Sequence, residues 1–370
     1  MIIMNLKIDN FLLFNNFEIN MSYPKKIVGS SITEEHLSGY PNFRYKKLIV
    51  LMGANATGKT ALGRILMGIF NFIQKKEYGA IVGLIENNKR NARFEMDFVI
   101  NNMLFRIVTE IAAMKESSYN SNDISVCVKS VRINKKDSYE SCLEKFDAES
   151  CVLSSNYIDE LEIIPSMSWM FEYPFASEGK QRVVNPVDND LFCKYLKAVL
   201  SALDPRIDKV IDIPGAEGSY VIMREGKAVI MEKGELKHPE QLSSGTQEGI
   251  GVANVLASMK LHACDFYYCD EKFSHIHSEF ERAFLSLLLD LLGPNEQLFF
   301  TTHNSDILEM DIPTHSFVFM RRNEYDGNAI SCVYASNYIK KNDVSLRNAV
   351  ENDIFSANPD VTKIFDILQM

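Results

Sequence analysis

At 370 residues the chain is long enough for two average domains, or for one large α/β domain with an insert. Apolar content of 46% and charged content of 24% fit a folded globular protein, and a net charge of −10 argues against a dedicated nucleic-acid binder covered in basic surface, though not against a local basic groove. The seven cysteines (127, 142, 151, 193, 264, 269 and 332) are odd in number and scattered without a C-x-x-C. They speak against a zinc site or disulfide framework and for reduced thiols in a cytoplasm.

The opening "MIIMNLKIDNFLLFNNFEI" is apolar but interrupted by Lys7, Asp9 and Asn10, so it does not read as a signal peptide. No apolar run reaches the ~18 residues of a membrane span. "NLKIDNF" reads as a first strand, with a second at about 16–20. Residues 21–46, with Pro24, Gly29, Gly39 and Pro41, read as a loop or small insert. "KLIVLMG" is a continuous apolar run ending in glycine, the pattern of a buried strand, and "TALGRILMGIFNFIQK" follows with helical spacing.

From about 93 to 134 the pattern is strand-like, in "RFEMDFVI", "MLFRIVTEIA" and "ISVCVKSVRI". Residues 137–187 are mixed. "NDLFCKYLKAVLSALDP" is a helix stopped by Pro205, and "SYVIMREGKAVIMEKG" a hairpin turning at Glu225-Gly226. After Leu242 the strands "DFYYCD", "QLFFTTH" and "HSFVFMRR" are separated by helices at 246–262 and 278–292, an alternation that indicates a mainly parallel sheet.

Four motifs carry chemistry. In "LMGANATGKT", Gly53, Ala54, Asn55, Ala56, Thr57, Gly58, Lys59 and Thr60 fit G-x-x-x-x-G-K-[ST] between a strand and a helix. Successive backbone N–H groups there cradle phosphate oxygens, Lys59 reaches the β- and γ-phosphates, and the Thr60 hydroxyl is placed to bind Mg²⁺. In "DFYYCDEKF" a strand ends in Asp270-Glu271: Asp270 suits Mg²⁺ and Glu271 suits a base that polarises water. In "QLSSGTQEGIG", Ser243, Ser244 and Gly245 lead into a helix, which makes either an anion site or only a helix cap. In "LFFTTHNSDIL" a buried strand delivers His303, a γ-phosphate contact or a structural histidine.

In this order the motifs resemble the ABC-type ATPase head. Leu242-Ser243-Ser244-Gly245-Thr246 aligns with the family's LSGGQ signature, Asp270-Glu271 with Walker B, Ile276-His277 with the D-loop and His303 with the switch histidine. "LKIDNFLLFNNFEI" resembles the first hairpin of RecF-, SMC- and OLD-type ATPases. "GANATGK" and the tail "LRNAVENDIFSANPDV" resemble the small stand-alone bacterial AAA-family ATPases of that branch, many of which accompany phage-defence or toxin partners. The resemblance covers about 1–70 and 205–355 and is weak over 71–204. Lys272 stands where the family has proline and Ser278 where the D-loop has another, both expected to tune a dimer face; Gln74 and Gln181 are the Q-loop candidates.

The resemblance implies a P-loop α/β head (1–70 and 205–370) with a mainly parallel sheet flanked by helices, an N-terminal antiparallel β-region, and a mixed insert at 71–204. It implies ATP and Mg²⁺ as substrate and cofactor, Glu271, Lys59 and His303 as catalytic groups, and Thr60 and Asp270 as metal ligands. Two heads would sandwich two ATP molecules, the P-loop of one facing Ser243 and Gly245 of the other, as a homodimer or higher oligomer in the cytoplasm. Three uses of that cycle stay open. One is a sensor controlling a separately encoded effector in anti-phage defence. The others are a RecF-like DNA clamp, which the acidic balance weakens, and an ATP-locked scaffold, which the intact Asp270-Glu271 pair weakens. A transporter motor would need a membrane partner. No coiled coil or zinc hook separates the halves, no nuclease domain follows, and no N-K-x-D motif suggests a GTPase. The acids and hydroxyls of "SSYNSND" and "DSYESCLEKFDAES" read as solvated loops rather than as a second active site.

Overall fold

The computed structural model describes residues 1–27, 29–147, 151–174, 189–273, 275–323, 329–339 and 345–357. The chain divides into two compact units, Met1–Met167 with Leu308–Met370, and Ser168–Ile307. This division runs through the 71–204 stretch: its first strands build the first unit and Trp169–Glu172 opens the second.

The first unit holds a five-stranded antiparallel sheet in the spatial order Phe17–Asn20, Ile2–Asp9, Ala92–Ile100, Met103–Ile111, Ile124–Arg132. The opening hairpin is therefore continued by strands that lie some 80 residues on, with Leu6 opposite both Ile19 and Met96. Leu48–Met52 pairs in parallel with Phe317–Asn323, which pairs antiparallel with Ala329–Tyr334. All five residues of Leu48–Met52 are buried, as its unbroken apolar run requires. The helix Lys59–Lys75 follows, burying Leu62, Ile65, Leu66, Ile69, Phe72 and Ile73 at helical spacing. It stops where Lys76 turns left-handed (φ 59°) and returns its N–H to Phe72 O.

The described residues of 21–46 form no strand beyond the isolated bridges Ser22–Tyr45 and His36–Arg44. They are nevertheless part of the core, because Leu37, Phe43 and Tyr45 pack with Ile2, Met4, Val99, Leu104 and Tyr139. "DSYESCLEKFDAES" supplies the helix Tyr139–Asp147, whose Tyr139 hydroxyl donates to Asp97 at 2.6 Å. In "SSYNSND", Asn120 caps a short turn. Tyr139 and Asn120 thus serve the fold, while Ala148, Glu149 and Ser150 lie outside the described residues.

The thiol expectation is corrected at two positions. Cys127 and Cys151 form a disulfide, with Cα atoms 6.1 Å apart, while Cys142, Cys193, Cys264, Cys269 and Cys332 are free. Val126 and Ser154 exchange backbone hydrogen bonds of 2.9 and 2.8 Å, and this tertiary pairing carries the two cysteines within reach. Spacing in sequence gives no hint of it.

Lys46, 4% exposed, donates to Asn20 O at 2.6 Å and lies 4.0 Å over the Tyr334 ring. Burial pushes its ammonium down to about 7 from the usual 10.5, against a smaller upward pull from Cys332. The folded chain thus binds fewer protons than the unfolded chain between these pH values, so Lys46 penalises the fold at pH 7 and below and the penalty fades as pH rises. Relative to Lys46→Met, the native chain should gain stability by about 1 kcal/mol per pH unit from pH 7 to 10. Denaturant midpoints of the two proteins across that range test this, and a flat difference would show that Lys46 titrates normally.

The second unit is built on three parallel strands, with Phe266–Asp270 between Trp169–Glu172 and Gln297–Thr301. The helix Ser278–Leu291 connects two of them in a parallel crossover. A four-stranded antiparallel sheet, Glu235–Leu236, Lys227–Glu232, Tyr220–Arg224 and Ile207–Asp212, includes the expected hairpin at Glu225-Gly226. The helix Asn189–Leu203 packs on Ile207–Asp212 and against the helix Ser244–Lys260. Gly249 allows that approach, since a Cβ there would lie 2.6 Å from Leu203 Cδ1. Parallel pairing is thus found among these three strands and between Leu48–Met52 and Phe317–Asn323, while the five-stranded and four-stranded sheets are antiparallel throughout their described pairs.

Candidate functional site

The phosphate-binding motif has the geometry its sequence demands. Gly53 (φ 149°) and Gly58 (φ 99°) hold conformations that side chains resist, and Ala56 also turns left-handed at φ 62°. A Cβ on Gly53 would overlap Met320 O, and one on Gly58 would lie 2.8 Å from Phe14 Cζ, so both glycines are needed for close packing as well. Thr57 Oγ1 donates to Ala54 O at 2.8 Å and closes the loop. Asn55 and Ala56 are exposed at its tip. Gly58 caps the helix, whose first residues are Lys59 and Thr60 and whose first turn carries no acid, so its positive end is open to an anion. Lys59 Nζ bends back over the loop and donates to Gly53 O at 2.9 Å and Ala54 O at 3.3 Å.

Gln74 lies near the far end of the same helix, roughly 22 Å along its axis from Lys59. Its Oε1 accepts from Met167 N at 3.0 Å, which makes it a brace rather than a Q-loop residue. Gln181 lies outside the described residues.

The acidic pair sits in the other unit, where the buried strand Phe266–Asp270 ends. Asp270 is fully buried and its Oδ1 accepts from Thr301 Oγ1 at 2.8 Å. The same Thr301 oxygen accepts from Glu271 N at 2.8 Å. One hydroxyl from the adjacent strand thereby fixes both acids. Glu271 has φ 42°, a strained value for a residue with a side chain, and it occurs where the strand turns into its loop. His303 Nε2 lies 2.6 Å from Glu271 Oε1, so the two strand ends bring the expected base and the expected switch histidine into direct contact.

Glu281, on the helix Ser278–Leu291, accepts from Thr302 Oγ1 at 2.6 Å and from Asn304 Nδ2 at 2.7 Å. It grips the residues on both sides of His303. Burial raises its carboxyl pKa, opposed by these two donors. A cavity of about 370 Å³ opens beside Glu271, His303, Glu281 and Ile276.

The serine–glycine turn belongs to the same unit. Ser243 caps the helix Ser244–Lys260: its Oγ accepts from Thr246 N at 3.2 Å and lies 2.8 Å from Thr246 Oγ1. The cap reading of "QLSSGTQEGIG" is thus realised in the folded chain; a hydroxyl retains capacity for a further bond. Ser244 opens the helix and is exposed. Gly245 has a packing reason of its own, because a Cβ there would lie 2.7 Å from His275 O. Expected D-loop residues flank this contact, and His277 caps the next helix through Glu279 N.

Lys272 does not face outward, as a residue tuning a dimer surface would. It is 3% exposed, among Glu172, Glu248 and Tyr173 O. Burial opposes its charge, and the two carboxylates overcome that, leaving its pKa above the usual lysine value.

Thr301, Glu281 and the partners of Lys272 were not singled out by sequence. Thr301 stands opposite Asp270 in the parallel register, a long-range pairing that "FFTTH" by itself does not announce.

In the first unit a loop of backbone N–H groups with a lysine and a threonine hydroxyl suits the phosphates of a nucleotide; in the second, a fully buried carboxylate at a strand end is of the type that suits Mg²⁺. Among the described residues no three His, Cys, Asp or Glu side chains cluster as a metal cage, and Mg²⁺ held by one carboxylate and substrate phosphates requires none. No described helix is long and apolar enough to cross a membrane.

No protein-family model and no curated protein sequence matches the chain. Solved structures do. An SmcHead bound to the C-winged helix domain of ScpA is similar at a TM-score of 0.53 and 14% identity, over 95% of this chain and all (100%) of that one. A second is an Smc head domain with an extended coiled coil bound to the C-terminal domain of ScpA derived from Pyrococcus furiosus. It is similar at a TM-score of 0.51 and 13% identity, over 95% and 98% of the two chains. At these identities the likeness is one of fold: the chain has the fold of SMC head domains.

Proposed function

We propose that the chain binds and hydrolyses ATP as an ABC-type ATPase, working as a nucleotide-driven dimer switch. The observation that carries this reading is the contact between Glu271 and His303 beside a buried Asp270, in a chain that also presents a strained glycine loop ending in Lys59 and Thr60.

Lys59 and the loop N–H groups bind the phosphates, and Lys59 exchanges its bonds to Gly53 O and Ala54 O for phosphate oxygens. Thr60 and Asp270 would hold Mg²⁺, which when bound neutralises charge on the phosphates. Glu271 orients the attacking water and accepts its proton. His303, 2.6 Å from Glu271, holds that carboxylate and reports on the terminal phosphate. Ser243, Ser244 and Gly245 offer the N-terminus of a helix to the nucleotide of a second chain.

Residues 71–204 contribute specificity rather than ATP chemistry in this reading. The likeness of "GANATGK" and of the tail "LRNAVENDIFSANPDV" to stand-alone bacterial ATPases supports the role of sensor for a separately encoded effector in phage defence. Phosphate release by the purified chain with Mg·ATP tests the enzymatic claim. Turnover should require Mg²⁺ and its specific rate should rise with protein concentration; no release above the protein-free blank would remove it.

A further inference from the structure

The helix Ser244–Lys260 begins at the serine–glycine turn, and three of its residues, Glu248, Gly251 and Asn254, meet one buried point at successive turns. Lys272, directly after Glu271, enters there. Its Nζ lies 3.1 Å from Glu248 Oε2 and 3.3 Å from Glu172 Oε2, and donates to Tyr173 O at 2.9 Å. Asn254 Nδ2 donates to the other Glu172 oxygen at 2.9 Å. Gly251 leaves the room, since a Cβ there would overlap Lys272 Cε and Nζ and lie 2.7 Å from Glu172 Oε2. The node joins the end of a parallel strand, the helix of the serine–glycine turn and the loop of Glu271.

We propose that Lys272 is a positioning residue, which through Glu248 locks the Ser243–Gly245 turn and Glu271 into one rigid piece, so that the aim of the Glu271 carboxylate depends on the seat of the turn. The proposal rests on Glu271 being the base. A buried ionic cluster adds little stability over apolar residues of the same volume; what it adds here is a fixed geometry. That geometry is needed because Glu271 sits at φ 42° and must be held on both sides. Thr301 holds it on one side through Asp270 and the Glu271 amide, and Lys272 on the other. The approach of Gly245 to His275 O ties the turn to the same loop a second time.

Glu248→Leu severs the tie and leaves Lys272 and Glu172 as a neutral pair. Its kcat should fall by about tenfold or more, the scale on which misplacement of a catalytic group acts. The Kd for a non-hydrolysable ATP analogue should stay within about twofold of native. Glu248→Gln, which keeps an oxygen acceptor for Lys272, should recover most of the lost rate. If Glu248→Leu does not fold, the neutralised Lys272→Met, Glu172→Gln, Glu248→Gln protein takes the same two readings. A folded variant at native kcat, or one in which kcat falls and Kd rises together without rescue by Glu248→Gln, overturns the proposal. Failure of the underlying reading looks different: Glu271→Gln would then turn over as fast as the native chain, whatever the node variants do.

Discussion

Glu271→Gln is expected to bind ATP like the native chain and to hydrolyse it roughly 10²-fold or more slowly, the contribution of a general base. The substitution keeps the side chain's length and shape but removes its charge and its ability to take a proton. The strained backbone at φ 42° is held by Thr301 and Lys272 rather than by the carboxylate, so the loop should survive the change. His303 loses an ionic partner at 2.6 Å and retains an amide oxygen acceptor. Rapid-quench turnover, paired with analogue titration, separates the steps. Native turnover would place the base elsewhere and leave the Asp270-Glu271 pair a structural strand end.

Lys59→Ala should abolish most nucleotide affinity. Charge-assisted hydrogen bonds of the lysine to phosphate oxygens are worth about 1.5–3 kcal/mol each, so the Kd should rise by roughly ten- to a hundredfold or more. Part of the loss comes from the loop itself, because Lys59 Nζ now bridges Gly53 O and Ala54 O. Circular dichroism of the variant controls for folding. Native affinity in a folded Lys59→Ala protein would remove the phosphate-loop assignment.

The parts legible in the sequence were those whose physics is local. Leu48–Met52 and Phe266–Asp270 are buried strands because their residues are apolar or aromatic until the functional end, and both strands stop at the motif. The glycines at 53 and 58 mark backbone that only glycine adopts cheaply, so the loop could be placed from its spacing. What escaped was long-range. Lys272 looked like a surface substitution for proline, because its carboxylate partners are Glu172 and Glu248, far from it in sequence. Cys127 and Cys151 are joined by a pairing of Val126 with Ser154 that no periodicity announces. Residues 21–46 looked polar on average, yet Leu37, Phe43 and Tyr45 are core residues placed singly between turns. The sheet that Ala92–Ile100 shares with Ile2–Asp9 was hidden for the same reason: each strand was readable, its partner was not.

The shared ATP site between two copies is tested most directly by mixing chains. Ser243→Arg puts bulk and charge at the serine–glycine turn and should inactivate alone, as should Lys59→Ala. In a mixed dimer one composite site carries both defects and the other carries neither. An equimolar mixture should recover about a quarter of the native rate, since half of randomly paired dimers are mixed and each keeps one intact site. No recovery, with mixed dimers demonstrated by cross-linking of differently tagged chains, would contradict the sandwich.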